Sequence, residues 1–171
     1  MISKKMVQSL NKQLNNEIYS AYLYLAMSSY TTYIGLKGAA NWFMVQYQEE
    51  MTHAMKFYNY INSQGEHAQL AAIAAPPIEY GTLLSMFEQT LKHEQFITNC
   101  INELMDLAIK EKDHATQIFL QWFVTEQIEE EGNDNDIIAK LKLVGDSPQG
   151  LMMVDRDLAA RVFTPPAATA E

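Results

Sequence analysis

Apolar residues recur at helical spacing in four long stretches of the chain. The first stretch, residues 5–33, contains neither glycine nor proline, and Leu10, Leu14 and Leu25 lie four and eleven residues apart within it. These separations are close to whole numbers of helical turns, so the three side chains share one helix face. Ser3 stands just before the stretch as a candidate N-cap.

A second apolar stripe follows a short turn at Gly35 and Gly38 and ends near Gly65. Because a short turn joins antiparallel neighbours, the first two stripes predict a helical hairpin. The second stripe advances in steps of three and four residues through Phe43, Tyr47, Glu50, Ala54, Phe57 and Ile61.

Residues 66–82 form the long connection of the chain. Pro76, Pro77 and Gly81 favour an extended or turn-like backbone there. About 17 residues can span roughly 55 Å, whereas a helix of about 27 residues is roughly 40 Å long. The connection is therefore long enough to cross a whole helical bundle.

Two further stripes predict a third and a fourth helix, the fourth opened by Asp113. After Gly145, residues 151–162 carry enough apolar side chains for a short fifth helix. We therefore expect an all-α four-helix bundle with one long crossover between helices 2 and 3, a single domain over residues 1–163 and a flexible tail over 164–171. The later stripes contain Leu84, Phe87, Leu91, Glu94, Ile101 and Met105, then Leu120, Phe123, Gln127, Glu130, Ile137 and Leu141.

The composition narrows the functional classes. A net charge of −9 argues against a nucleic-acid surface, which requires a basic patch. Cys100 is the only cysteine, so no intrachain disulfide can form, as expected in a reducing cytosol. No apolar segment follows Lys4 and Lys5, and no run of 18 apolar residues occurs, so we expect a cytoplasmic protein without signal peptide or membrane span.

Glutamates interrupt the apolar stripes where core residues are expected. Glu17 follows Leu14 by three residues, and Glu50 and Glu94 lie within their own stripes. No Lys or Arg lies in these stripes, so burial would either protonate the carboxyls or require a cation among them. Any one such acid, taken alone, is more often an edge residue than a ligand.

The acids also form a pattern that occurs twice, at an offset of 77 positions. The first copy is Glu17, Glu50 and His53, and the second is Glu94, Gln127 and Glu130. Each copy places one glutamate on one helix and an i, i+3 pair on the next, so four helices can direct these side chains to one centre. Carboxylates with one imidazole suit iron or manganese, and zinc should bind as well. The joint pattern favours a di-metal site, with redox-active iron as the leading choice.

Several neighbouring residues have alternative roles. Glu49, Glu126 and Glu129 are candidates for a third metal ion, or else belong to a solvated helix face. Tyr24 and Trp122 are candidate electron donors or plain core aromatics, and we favour the core for Trp122.

Three histidines, His67, His93 and His114, fall outside the stripes and are expected at the surface. Met51 suggests an axial haem ligand, but methionine more commonly serves in packing.

The motifs resemble those of bacterial non-haem ferritins, within the ferritin-like di-iron carboxylate superfamily. They are Glu17, the run 49–53, Glu94 and the run 126–130, and the resemblance covers roughly residues 1–158. It implies that Glu17, Glu50 and His53 hold a first iron, that Glu94 and Glu130 join Glu50 at a second, and that Gln127 is a hydrogen-bonding group beside them. Glu49, Glu126 and Glu129 match that family's third iron position, with Glu130 as a further candidate.

The resemblance also implies a ferroxidase and iron store. Two Fe²⁺ would be oxidised by O₂ or H₂O₂, and Fe³⁺ would be stored as an oxide mineral inside a homo-oligomeric shell of twenty-four subunits. Bacterioferritins carry Glu-x-x-His in both pairs and bind haem between subunits, whereas the second pair here is Gln127 and Glu130, so we expect no haem. Mini-ferritins share their ligands between two chains, whereas a single bundle supplies all of them here.

Two alternatives stay open at this point. One is a di-iron oxidase or peroxidase that acts on another substrate and retains its iron. The other is a purely structural bundle whose carboxylates are protonated or exposed and bind no Fe²⁺.

One stretch departs from the family pattern. Residues 132–136 are poor helix formers, which costs about 2–3 kcal/mol relative to an alanine-rich stretch. They follow Glu130 almost directly. We therefore hypothesise that the fourth helix bends or frays here.

Overall fold

The computed structural model describes residues 2–165 and forms five α-helices there. Helix α1 covers Lys4–Tyr33, α2 Lys37–Ser63, α3 Leu83–Glu111, α4 His114–Val144 and α5 Pro148–Leu158. No strand occurs in the described part, so the predicted all-α class is confirmed. Of the predicted tail, Thr164 and Pro165 are not helical, and the remainder lies outside the described residues.

The helices form two hairpins, α1 with α2 and α3 with α4, joined by a crossover over residues 64–82. Two asparagines of α1 fasten the crossover by its backbone. The Asn11 side chain donates to His67 O at 3.2 Å and accepts from Gln69 N at 2.6 Å. Asn15 repeats this arrangement one turn later, with Gln69 O and Ala71 N. The long connection thus lies along α1 rather than hanging free.

Side-chain caps set the starts of four helices. Ser3, Thr82, Asp113 and Ser147 each accept a hydrogen bond from the backbone N–H three residues later, which satisfies a donor that the helix leaves unpaired. Ser147 and Pro148 start α5 three residues earlier than the apolar pattern predicted.

No side chain caps the start of α2 from within that helix. Instead, a side chain of α5 accepts a hydrogen bond from a backbone N–H in the first turn of α2. Asp155 Oδ1 accepts from Ala39 N at 2.8 Å. The contact is so close that a Cβ at Gly38 would lie 1.6 Å from Asp155 O, so only glycine fits there. This contact holds α5 against the start of α2.

The core consists of two apolar clusters with a polar layer between them. One cluster gathers Tyr24, Trp42, Phe43, Phe87 and their neighbours, and the other gathers Leu10, Phe57, Ile101, Phe123 and theirs. Along α1, Glu17 lies after Leu14 of one cluster and before Leu23 of the other. The glutamates that interrupt the stripes therefore lie in one layer across the bundle.

Helix α4 is continuous through residues 132–136, so this stretch does not interrupt the helix, and the bend or fray stays a prediction. Asp134 within this stretch is 1% exposed, and Ile137, Ile138 and Leu141 beyond it are buried in the core. Tertiary packing of this face outweighs the weak intrinsic propensity of the segment. Among residues 2–165, no helix is long and apolar enough to cross a membrane.

Candidate metal centre

The polar layer contains all six residues of the repeated pattern. Helices α1 and α3 each contribute one glutamate, and α2 and α4 each contribute an i, i+3 pair. Each residue is at most 5% exposed, so every side chain is inside the bundle. The six are Glu17, Glu50, His53, Glu94, Gln127 and Glu130.

Their ligand atoms form two overlapping groups. Oxygens of Glu17 and Glu50 and a ring nitrogen of His53 lie within 4.8 Å of one another, as do atoms of His53, Glu126 and Glu130. His53 belongs to both groups, so the two clusters adjoin. The second group differs from the expected one, because Glu126 rather than Glu94 accompanies Glu130.

Glu50 and His53 share a charge pair in the interior. Burial alone would raise the pKa of Glu50, but the His53 imidazolium brings it below its usual value. Burial would lower the pKa of His53, but Glu50 foremost, and then Glu126, raise it well above its usual value. His53 Nδ1 lies 3.6 Å from Glu50 Oε2, and Nε2 lies 3.8 Å from Glu126 Oε1.

The other carboxyls favour their protonated forms. Burial, reinforced by the charge of Glu50, raises the pKa of Glu17 to about 8. The same two causes raise the pKa of Glu130 to about 7 and that of Glu94 well above its usual value. A cation among these groups would offset both causes, since its positive charge stabilises the ionised carboxylates.

Glu94 is held by hydrogen bonds on both of its oxygens. The Tyr24 hydroxyl donates to Oε1, and Gln127 Nε2 donates to Oε2 at 3.1 Å and to the backbone oxygen at 3.2 Å. Burial, followed by the charge of Glu94, raises the pKa of the Tyr24 hydroxyl well above its usual value. Tyr24 and Gln127 therefore orient Glu94 rather than compete with it for a cation.

Two buried glutamines at the centre were not predicted from the sequence. Gln13 Nε2 donates to Glu17 Oε1 at 2.7 Å. Gln46 Nε2 donates to Glu130 Oε2 at 2.9 Å and to Glu50 Oε1 at 3.3 Å. Each glutamine precedes its glutamate by four residues, the spacing of helix neighbours, and this signal was present in the sequence.

The apolar stripes contain no Lys or Arg, but Arg161, which lies outside them, contacts residues beside the centre. It follows α5, and its guanidinium donates to Gln46 Oε1 at 2.7 Å and forms an ion pair with Glu49. No local sequence pattern marks this residue, because only the position of α5 brings it against α2.

Asp134 is a second residue that the sequence did not predict at the centre. It lies one turn after Glu130, and both of its oxygens are buried without a hydrogen-bond partner.

The residues expected at a third metal position are only partly gathered. Glu126 is half-buried and close to His53, as described above. Glu49 is half-buried and held by Arg161, while Glu129 is exposed. Glu129 therefore lies on the surface of the chain, apart from the other two.

Two aromatic expectations are wrong. Trp122 is 36% exposed rather than buried in the core; its ring meets His53 edge-on at 5.2 Å and lies 4.1 Å from Lys56 Nζ. His93 is half-buried rather than at the surface, with Nε2 2.8 Å from Ser20 Oγ, and burial lowers its pKa. His67 and His114 are exposed, as predicted.

Comparison with protein families identifies the fold. The profile of the ferritin-like domain matches residues 7–144. The chain is 42% identical over 163 residues to the bacterial non-heme ferritin of Staphylococcus saprophyticus and 39% identical to that of Staphylococcus aureus, covering 95% of this chain and 98% of each relative.

Solved structures agree with this likeness. An open pore ferritin from the archaeon Archaeoglobus fulgidus is 48% identical, with a TM-score of 0.93 over 95% of this chain and 99% of that one. A structure described as a humanized archaeal ferritin, also 48% identical, gives 0.95 over 96% and 100%. The chain therefore belongs to the ferritin family.

Proposed function

We propose that this protein stores iron and oxidises Fe²⁺ at the polar layer of its own bundle. The observation that carries the proposal is the convergence of Glu17, Glu50, His53 and Glu130 in a buried layer with more carboxyls than positive charges. Carboxylates with one imidazole suit Fe²⁺ and stabilise Fe³⁺ after oxidation.

Fe²⁺ is the substrate here. Glu17, Glu50 and His53 bind one ion, and Glu94, Glu130 and Glu50 bind the second, so that Glu50 lies between them. Two ions held close together deliver two electrons at once. Two Fe²⁺, one O₂ and two protons then give two Fe³⁺ and one H₂O₂. With H₂O₂ as the oxidant, two Fe²⁺, one H₂O₂ and two protons give two Fe³⁺ and two waters.

The remaining residues position the ligands. Gln127 and Tyr24 orient Glu94, and Gln13 and Gln46 orient Glu17, Glu50 and Glu130 through the hydrogen bonds described above. Because the second pair carries the neutral Gln127 in place of a charged ligand, Fe³⁺ is held less tightly and can leave. Tyr24 is also the candidate electron donor beside the centre. Glu49, Glu126 and Glu129 are the residues proposed for a third ion.

The product collects outside the bundle, which requires an enclosed space. The ferritin fold supports a homo-oligomeric shell, for which we propose twenty-four subunits, with residues 1–163 as the domain and 164–171 as a tail. Cytoplasmic location and the absence of haem and nucleic-acid partners belong to the same proposal.

Iron retention tests storage against a di-iron oxidase. Apo-protein is given about a hundred Fe²⁺ per chain in air, then passed over a desalting column and assayed for iron and size. Storage predicts that far more than three Fe³⁺ per chain elute with the assembled protein. Retention of about two per chain would favour the oxidase, and retention of none would favour a purely structural bundle.

A further inference from the structure

Arg161 connects the segment after α5 to the candidate metal centre. Its Nη1 donates to Gln46 Oε1 at 2.7 Å, and its Nη2 pairs with Glu49 Oε2. The guanidinium carbon also lies 4.4 Å from the centre of the Trp42 ring. The side chain is 20% exposed, so its contacts are shielded from most of the solvent.

Hydrogen bonds also hold the backbone around Arg161. Asn41 Nδ2 donates to Arg161 O at 2.9 Å and to Ala159 O at 3.3 Å. Before these, Asp155 closes the start of α2 through Ala39. Both the backbone and the side chain of Arg161 are therefore held in one position against α2.

Arg161 determines which way the amide of Gln46 faces. A guanidinium group only donates hydrogen bonds, so the Gln46 oxygen must face it. The amide nitrogen then faces the interior, where it donates to Glu130 Oε2 and Glu50 Oε1. With the amide reversed, its oxygen would face two carboxyls instead of donating to them.

Arg161 also pairs with Glu49, a carboxyl that interacts with the charges of Glu50 and Glu126 near the centre. Glu126 and Glu130 share a ligand group with His53, whereas Glu49 belongs to neither ligand group and is paired with the guanidinium. A divalent cation that used Glu49 would share this carboxylate with the positively charged guanidinium, and the repulsion between the two cations weakens its binding.

We propose that Arg161 is a positioning residue that competes with a third divalent cation for Glu49 and orients Gln46 toward the di-iron centre. By this competition it keeps the third position weak, so that the first two ions fill the paired site before a third binds beside it. The inference rests on the proposed function, since it assigns a regulator to that centre.

Zn²⁺ binding to the assembled apo-protein tests the competition without any redox step. Calorimetric titrations compare the native chain with Arg161→Met, which keeps a stem over Trp42 but removes the charge, and Arg161→Lys, which keeps the charge. Arg156→Met is the matched control, because Arg156 is exposed on α5. Arg161→Gln replaces Arg161→Met, with the same expectation, if the latter does not assemble.

The native chain should bind two Zn²⁺ tightly and a third weakly. Arg161→Met should tighten the third ion about tenfold, while Arg161→Lys and Arg156→Met should stay within about twofold of the native value. A purely structural role for Arg161 would leave the third affinity unchanged in every variant, and that result would overturn the inference.

Oxidation by the same variants tests the effect on Gln46. With two Fe²⁺ per chain in air, Arg161→Met should oxidise iron a few times more slowly than Arg156→Met. Equal rates would contradict the orienting role. Failure of the native chain to oxidise iron at all would overturn the proposed function instead, so the two failures are distinguishable.

Discussion

Several ionisable side chains of this bundle are deeply buried. Glu17, Glu94, Glu130 and Asp134 all have pKa values raised by burial, and Glu50 and His53 form a charged pair in the layer. In the absence of a cation these acids hold protons instead of charge. Stability and metal binding should therefore both depend on pH.

Metal binding should release protons from the centre. At pH 6.5 Glu17, Glu130 and His53 are largely protonated, and burial raises the pKa of Glu94 as well; each must lose its proton to serve as a ligand. We expect two Zn²⁺ per chain to displace about three to four protons at pH 6.5 and fewer at pH 8.5. Calorimetry in buffers of different ionisation enthalpy measures this number, and Glu17→Ala should lower it by about one. Release of less than one proton would contradict the assignment.

Asp134 is the buried acid for which no partner exists within the described residues. Burial raises its pKa to about 8, so the folded state binds a proton that the unfolded chain loses near pH 4. The free energy of unfolding therefore falls as pH rises between about 4 and 8, because the folded state binds the extra proton there. Leucine in place of Asp134 removes this loss.

The prediction is that Asp134→Leu stabilises the apo-protein by about 1–3 kcal/mol at pH 8.5 and by clearly less at pH 4.5. Thermal unfolding followed by circular dichroism at the two pH values measures the difference. Asp136→Leu, at an exposed position of the same helix, is the control and should show no such dependence. A pH-independent effect of Asp134→Leu would show that the carboxyl is not strained by burial.

The helices are the scale at which the sequence was most informative. The 3.6-residue stripes predicted the four long helices and the crossover, because amphipathic packing dominates helix formation here. Residues 132–136 have weak helix propensity but remain helical, because Ile137 and Ile138 just after them are buried in the core. Local pattern found the six centre residues because their spacing repeats, whereas Arg161 carries no local signal and depends on how α5 docks.

Docking of α5 should depend on one glycine. In Gly38→Ala the new methyl group would lie 1.6 Å from Asp155 O, so α5 must move away. We expect a loss of about 1–3 kcal/mol in stability and faster hydrogen exchange of α5. Gly132→Ala, on the exposed face of α4 with nothing within 4 Å, should instead stabilise by about 0.5–1 kcal/mol. The same sign for both variants would contradict the tight junction.

At the scale of the whole molecule, two apolar clusters enclose a polar layer that contains the centre. The clusters hold the four helices in register, so the carboxyls cannot separate to reach water, and a cation is the remaining way to let them ionise together. The net charge of −9 adds a long-range attraction for cations, which raises their local concentration at low ionic strength. The molecule thus favours cations both by long-range attraction and by the carboxyls gathered inside the bundle.

The most direct test of the account is stopped-flow oxidation of two Fe²⁺ per chain in aerated buffer by the native apo-protein. Glu50→Ala removes the ligand that we propose to lie between both ions, and Glu103→Ala, at an exposed position of α3, is the matched control. We expect rapid growth of ferric absorbance in the native protein and in Glu103→Ala, and a rate near that of buffer alone in Glu50→Ala. Equal rates in all three proteins would contradict a ferroxidase centre in the bundle.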